Sequence, residues 1–301
     1  MDICSPKLKG KDEISCLDKD TLQSILDTIN KIDKKKSKSK SKSKSKSKSK
    51  SKSKSKSKSK SKRKIKLQIQ KYINRISSCN SEKCWNKALL LIDNLPTDVK
   101  LQIKQSYKPS KPIQWKRDKN TWLTNIDIDN VLNQYMHKYK WFHYYGAVPI
   151  DFDLKENNKC IINNICKIEL KNLIDKYKCF SIVLNTDPHT QPGKHWICLY
   201  IDINGINIKD TPSILYFDSN GIGPSKEVNK LIRKIKKQGI DEGIQFTYFY
   251  NDIQHQYSNT ECGVYCLHFI ISMLNGGSFI DYVQNVKSDD FIETFRSIYF
   301  I

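Results

Sequence analysis

Gln256-Tyr257-Ser258-Asn259-Thr260-Glu261-Cys262-Gly263-Val264-Tyr265 is a polar, turn-forming approach to an apolar run that lasts until about Leu274. The pattern predicts a buried helix that starts near Thr260 and carries a cysteine in its first turn. A thiol at the positive end of a helix dipole is biased towards thiolate, which is the nucleophilic form. Upstream, His195-Trp196 opens one apolar run and Asp218 closes the next, in Leu215-Tyr216-Phe217-Asp218-Ser219-Asn220. An imidazole can hold the thiol proton and pass it to a leaving amine. A carboxylate on the neighbouring strand can orient that ring and stabilise its charged form. Gln256, six residues before the cysteine, supplies an amide that can donate to an oxyanion together with the Cys262 N–H. Losing one such donor typically costs about 2.7–4 kcal/mol of transition-state stabilisation. Gly263 is expected to let a substrate backbone come close. The candidate site is therefore Cys262 as nucleophile, His195 as general base and acid, Asp218 as orienting residue and Gln256 as oxyanion donor.

No single member of this set is specific, because a buried cysteine is usually a packing residue. The order and the expected elements give it weight. Cys266 and His268 fall on the same buried helix and read as packing. His255 adjoins Gln256, only seven residues before Cys262, and is a weaker choice of base than His195. His137, His143 and His189 have no partner nameable from sequence. Trp196 reads as packing beside the site, and Tyr248, Phe249 and Tyr250 as sheet core. Ser219, Asp252 and Asn259 are candidates to line a cleft.

Working outward, runs rich in β-formers at 179–184, 195–203, 214–217 and 244–250 are expected to be strands. Helical periodicity appears at 127–140, 169–177, 225–237 (closed by Gly239), 260–274 and 289–299. Together these predict an α+β core, a mixed sheet flanked by helices, over residues 111–301. The N-terminal third predicts helices at 19–33, 65–77, 81–93 and 97–106, with Ser81 and Thr97 as N-caps. Lys108–Asn120 reads as a linker with a boundary near 110. Residues 1–33 and 65–110 then form a small helical unit, interrupted by a low-complexity insertion at 34–64 that is expected to be disordered.

That insertion explains the charge. The 301 residues carry a formal +22, and 19 of those charges lie between Lys34 and Lys66, which includes 13 consecutive Ser-Lys pairs. The remainder carries only +3, so a basic nucleic-acid-binding fold is disfavoured. The tract is either a solvated insertion without function or a non-specific contact to DNA phosphates, with steep salt dependence. Phosphorylation of its serines would reverse its charge locally. None of the ten cysteines forms a CxxC pair, and no Cys/His set has zinc spacing, so no metal or cofactor is expected. The first residues do not resemble a secretory signal, and no run approaches about 18 apolar residues. A reducing compartment and free thiols are the resulting expectations.

The order His-Trp, Asp, Gln-x5-Cys-Gly resembles the cysteine proteases of the adenovirus-protease and SUMO-protease superfamily. Trp122-Leu-Thr-Asn-Ile-Asp-Ile-Asp129, Val183-Leu-Asn-Thr-Asp187, Gly193-Lys-His-Trp196, Thr260-Glu-Cys-Gly263 and Lys11-Asp-Glu-Ile-Ser-Cys-Leu17 look like stretches of the polyprotein-processing proteases of African swine fever virus type. The resemblance covers most of the chain and leaves the Ser-Lys tract as an insertion. The heavy use of Lys, Asn and Ile fits an AT-rich genome, and the resemblance implies a relative from another large DNA virus. It also implies a protease core, a helical N-terminal arm domain, and a viral structural polyprotein cut after Gly-Gly during particle maturation. The place of action would be the virion and host cytoplasm at sites of assembly. By resemblance, His195, Cys262 and Gln256 match the family's base, nucleophile and oxyanion residue. Asp218 occupies the third position, where the swine fever enzyme has Asn and SUMO proteases have Asp. Two other readings stand beside this one: a protease that removes ubiquitin-like modifiers, and a basic DNA-binding virion component with an inactive protease domain.

Overall fold

The structure is a computed structural model that describes residues 3–8, 14–40, 61–160, 162 and 164–301. The chain divides into two compact units, Met1–Lys108 and Pro109–Ile301.

The first unit is helical. Helix α1 (Lys19–Lys40) buries Leu22, Ile25, Leu26 and Ile29 along one stripe, and α2 (Lys62–Ile76) answers with Ile65, Ile69, Tyr72 and Ile73. Both helices run into the expected insertion, so its described ends are helical: seven residues past the predicted end at 33, and three before the predicted start at 65. Lysine is a good helix former, which allows a helix nucleated by packing to propagate outward. The expectation of disorder for the middle of the tract, residues 41–60, falls outside the described residues. The helix expected at 81–93 is instead two 3-10 turns around α3 (Trp85–Ala88). Pro96, not Thr97, is the N-cap of α4 (Thr97–Ser106), and Ser81 makes no capping bond. The buried Glu82 carboxylate ties the unit together. It accepts from the Ser15 hydroxyl (2.6 Å), Cys16 N–H (2.9 Å) and the Tyr107 hydroxyl (3.0 Å), and it pairs with Lys66.

The second unit is a five-stranded mixed sheet between helices. Its strands are β1 (Phe142–Pro149), β4 (Cys179–Asn185), β5 (Trp196–Asp202), β6 (Ser213–Phe217) and β7 (Thr247–Tyr250), side by side in that order. A two-stranded hairpin, β2 (Lys155–Glu156) and β3 (Lys159–Cys160), stands apart. The outer pairs β1–β4 and β6–β7 are parallel, and β4–β5–β6 are antiparallel. Every residue of β4, β5 and β6 is buried, which explains their unbroken apolar text. Alternate side chains serve two cores. Cys179, Val183, Cys198, Tyr200, Leu215 and Phe217 meet α5 (Asn125–Lys138), α7 (Cys262–Leu274) and α9 (Asp289–Tyr299). Phe180, Ile182, Leu184, Ile197, Leu199 and Ile201 meet α6 (Lys226–Asp241).

Strand β1 has no clear sequence signal, because its register shifts between Tyr144 and Ala147, where Gly146 takes φ +110°. Helix α8 (Phe279–Gln284) is too short for its period to show. The helix expected at 169–177 is only a 3-10 turn at Leu170–Asn172 followed by turns. Among the described residues no helix is long and apolar enough to cross a membrane.

The cysteines require a correction. Cys4–Cys16, Cys79–Cys84 and Cys160–Cys166 are disulfides, with Cα separations of 5.2, 5.7 and 5.9 Å. Only Cys179, Cys198, Cys262 and Cys266 are thiols, all of them buried. Spacing alone cannot assign such pairs, and their presence removes the cysteine argument for a reducing compartment.

Gly239 does not end α6; it lies inside it, buried, where a Cβ would come within 2.6 Å of the Ile244 carbonyl oxygen and 2.7 Å of the Phe246 ring. Gly→Ala in a helix ordinarily stabilises by about 0.8–1 kcal/mol. Here overlap reverses the sign, and Gly239→Ala is expected to destabilise by about 1–3 kcal/mol. Urea denaturation measures this directly; a raised midpoint would contradict the packing described.

Candidate active site

Four segments of the core unit meet at the ends of β5 and β6. His195 is the last residue before β5, and its carbonyl is held by the Thr186 N–H (2.9 Å). Its loop is shaped by Asn185, whose Oδ1 accepts from the N–H groups of Asp187 (3.0 Å) and Lys194 (3.3 Å). Gly193 (φ +91°) lies so close that a Cβ there would be 2.7 Å from the Asn185 amide nitrogen. Asp218 follows β6, and its Oδ1 lies 2.7 Å from His195 Nε2. With Nε2 engaged, Nδ1 is the nitrogen left for Cys262, whose charge favours the protonated ring. Cys262 is the first residue of α7. The sequence-predicted His195, Asp218 and Cys262 are thus brought together.

The Asp218 carboxylate is held as well as holding. Its Oδ1 also accepts from the Asn220 N–H (2.8 Å), and the Asn220 side-chain amide is 3.4 Å from His195 Nε2. Asn251, fully buried, clamps the Asp218 peptide. Its Oδ1 accepts from the Asp218 N–H (2.8 Å), and its Nδ2 donates to the Asp218 carbonyl (2.7 Å). The next residue, Ser219, organises Gln256. The Ser219 hydroxyl donates to Gln256 Oε1 (2.7 Å), and the Ser219 carbonyl accepts from the Gln256 N–H (2.8 Å). Gln256 Nε2 donates to the Ser258 carbonyl (2.7 Å), which fixes the amide and leaves it one further N–H. One turn after β6 therefore sets both the orienting acid and the glutamine.

Trp196 links the histidine strand to the nucleophile helix. Its indole N–H donates to the Leu123 carbonyl (2.9 Å). A Cβ on Gly263 would meet Leu123 at 3.1 Å and Trp196 at 3.3 Å. Gly263 is therefore also a point of close packing between the helix, Leu123 and Trp196. The Trp122–Asp129 stretch has structural work of the same kind. Thr124 and Asp127 form a capping box on α5, and Asp129 Oδ1 accepts from the Tyr144 hydroxyl and Ala147 N–H, both at 2.8 Å.

The remaining histidines separate cleanly. His255 is sealed in the core, with one ring nitrogen 3.1 Å from the Val283 carbonyl oxygen and the other 3.4 Å from the Lys287 N–H. Burial lowers its pKa. His268 bonds to the Tyr282 hydroxyl (2.7 Å), and burial takes it down to about 4. His189, left without a partner by sequence, pairs with Asp151 at 2.6 Å. It lines a hollow of about 550 Å³ that also touches Trp122, Leu123, Val148, Asn185, Asp187, Pro192, Gly193 and Trp196, the residue next to His195.

Burial works against a charged His195, but the hydrogen bond to Asp218 and the negative charges of Asp218 and Cys262 outweigh it. They raise the imidazole from 6.5 to about 9. Near neutral pH the ring is therefore protonated, as an acid facing a leaving amine must be. A pKa raised by folding contributes stability that is complete below about 6.5 and lost as pH rises through about 9. The expected kcat/KM profile has an alkaline limb near pH 9, and Asp218→Asn moves that limb towards the ordinary histidine range. A limb unmoved by the substitution would contradict the assignment of its cause.

The sequence pattern of the YopJ Serine/Threonine acetyltransferase family matches residues 153–289. A protein of Acanthamoeba polyphaga mimivirus named as a thiol protease is 33% identical over 215 residues, which are 70% of this chain and 64% of that protein, so the match spans less than two thirds of it. The cysteine protease of African swine fever virus is 30% identical over 210 residues, 66% of this chain and 74% of the viral protein. The crystal structure of the African swine fever virus protease superposes with a TM-score of 0.68 at 21% identity, over 99% of this chain and 95% of that one, which establishes a shared fold. With 30% identity across 74% of the swine fever virus cysteine protease, the chain belongs to the family of cysteine-type peptidases represented by that protein.

Proposed function

We propose that this protein is a cysteine endopeptidase that cuts viral structural polyproteins after Gly-Gly during virion maturation. The observation that carries the reading is the His195–Asp218 contact at 2.7 Å, with the opposite ring nitrogen left to Cys262 at the start of α7. In this reading the Cys262 thiolate attacks the scissile carbonyl carbon, and the new C–S bond forms as the carbonyl oxygen becomes an oxyanion. First-turn N–H groups of α7 have no intrahelical acceptor and are free to donate to it, together with the spare Gln256 N–H. As the C–N bond breaks, His195 Nδ1 gives its proton to the leaving amine. Water then attacks the thioester, loses a proton to His195, and the thiolate leaves. The hollow lined by Trp122, Val148, Gly193 and Trp196 offers room for a stretch of bound peptide near the site.

The relative's name supports cysteine protease activity; the polyprotein substrate and an action in the virion and at cytoplasmic assembly sites are what the sequence resemblance implies. The Ser-Lys tract would hold the enzyme near DNA by non-specific phosphate contact. Two further readings have specific support. Relatives named SUMO-1 cysteine protease favour removal of ubiquitin-like modifiers. The acetyltransferase match favours transfer of the acyl group to a Ser or Thr hydroxyl in place of water.

Cys262→Ser is expected to lower cleavage of a Gly-Gly-Xaa peptide by about 10⁴-fold or more with the fold intact, His195→Ala nearly as far, and Asp218→Ala less. Mass spectrometry of the products reads the outcome. Undiminished cleavage by Cys262→Ser would overturn the proposal. Preferential labelling by ubiquitin or SUMO vinyl sulfone would point to deconjugation, and an acetylated Ser or Thr peptide to acyl transfer.

A further inference from the structure

Glu261 stands immediately before Cys262, yet it is only 3% exposed. A carboxylate at that depth needs a partner, and Arg296 of α9, 5% exposed, provides one. Arg296 Nε lies 2.9 Å from Glu261 Oε2, and one of its terminal nitrogens lies 2.9 Å from Oε1, a fork-to-fork pair. The same guanidinium donates to the Thr260 carbonyl (3.0 Å) and the Thr121 carbonyl (2.9 Å). It stacks over Trp115 with its central carbon 4.8 Å from the ring centre. The Thr260 hydroxyl completes the set by donating to Glu261 Oε1 (2.9 Å). The carbonyls of Thr121, Thr260 and the Glu261 side chain are thus gathered on one cation, and the segment that begins at Thr121 is the one on which Leu123 meets Gly263 and Trp196.

We propose that Arg296 is a positioning residue for the nucleophile: it pins the Thr260–Glu261 turn that leads into α7 and cancels the negative charge adjoining Cys262, so that the positive end of the helix acts on the thiol undiminished. The inference rests on Cys262 being the nucleophile. A buried ion pair is a poor means of gaining stability, since apolar residues of the same volume often do as well or better. Its place here, one residue from Cys262, has a catalytic logic. An unpaired Glu261 would oppose the thiolate by charge alone, and Arg296 without Glu261 would favour it. The ionisable groups around this helix start include His195, from before β5, Cys266, on the helix itself, and Asp289 of α9, whose carboxylate accepts from the Tyr257 and Ser258 N–H groups and the Tyr265 hydroxyl. Substitution at 261 or 296 leaves these in place.

The test is the pH dependence of Cys262 alkylation by iodoacetamide, followed by peptide mapping, alongside kcat and KM for a Gly-Gly-Xaa peptide. Arg296→Gln leaves Glu261 unbalanced and is expected to move the alkylation midpoint up by about one pH unit, with kcat down at least about tenfold and KM within threefold. Glu261→Gln keeps the shape of the pair and is expected to move the midpoint the opposite way. The double variant returns it close to the parent's. If Arg296→Gln fails to fold, the Glu261→Gln shift still decides. Equal midpoints in all folded variants, or shifts of the same sign, would overturn the proposal and leave only a structural pair. A parent protein whose Cys262 is neither alkylated nor needed for cleavage would instead defeat the reading beneath it.

Discussion

A helix that is apolar on every side has to be enclosed on every side, and α7 is such a helix. Of its thirteen residues, all but Ser272 are buried. It packs against β5, α5 and α9, and that enclosure fixes where its first turn emerges. Cys262 arrives beside the residue that precedes β5, which is His195. The close fit of Gly263 to Leu123 and Trp196 leaves no room for the turn to slide. Burial of a helix, which is chiefly an apolar effect, thereby sets the geometry of a polar site.

Two rigid bodies of hydrogen bonds then face one another. One is the turn after β6, where Asp218, Ser219 and Asn220 are tied to Asn251 and Gln256. The other is the entrance to α7, where Thr260 and Glu261 are tied to Arg296. Neither depends on long flexible side chains in solvent, so each member keeps its place without the loss of entropy that ordering at the moment of reaction would bring. The raised His195 pKa follows from this arrangement, because a part-buried imidazole keeps its proton only where fixed anions reward it.

Much of this was legible in the chain. The mixed sheet showed itself because strands buried on both faces read as unbroken apolar runs, and the nucleophile helix because polar turn residues end abruptly at Cys262. His195, Asp218 and Cys262 stood out as candidates by their order and elements, and His195 and Asp218 lie 2.7 Å apart. What escaped has physical reasons. Strand β1 hides behind a bulge at Gly146. Gly239 looked like a helix stop but is a contact with Phe246. The three disulfides join cysteines whose spacing says nothing about proximity. Asn251 and Arg296 act over long sequence separations, and no local pattern marks such partners. Glu261 carried no distinctive signal either, since acids are common where helices begin.

The central claim is that one of four buried thiols is a nucleophile activated by His195. A peptide vinyl sulfone ending in Gly-Gly, incubated with the whole protein and mapped by mass spectrometry, addresses it directly. The account predicts a single adduct on Cys262 that is lost in His195→Ala. Labelling spread over Cys179, Cys198 and Cys266, or labelling of Cys262 that ignores the loss of His195, would contradict it.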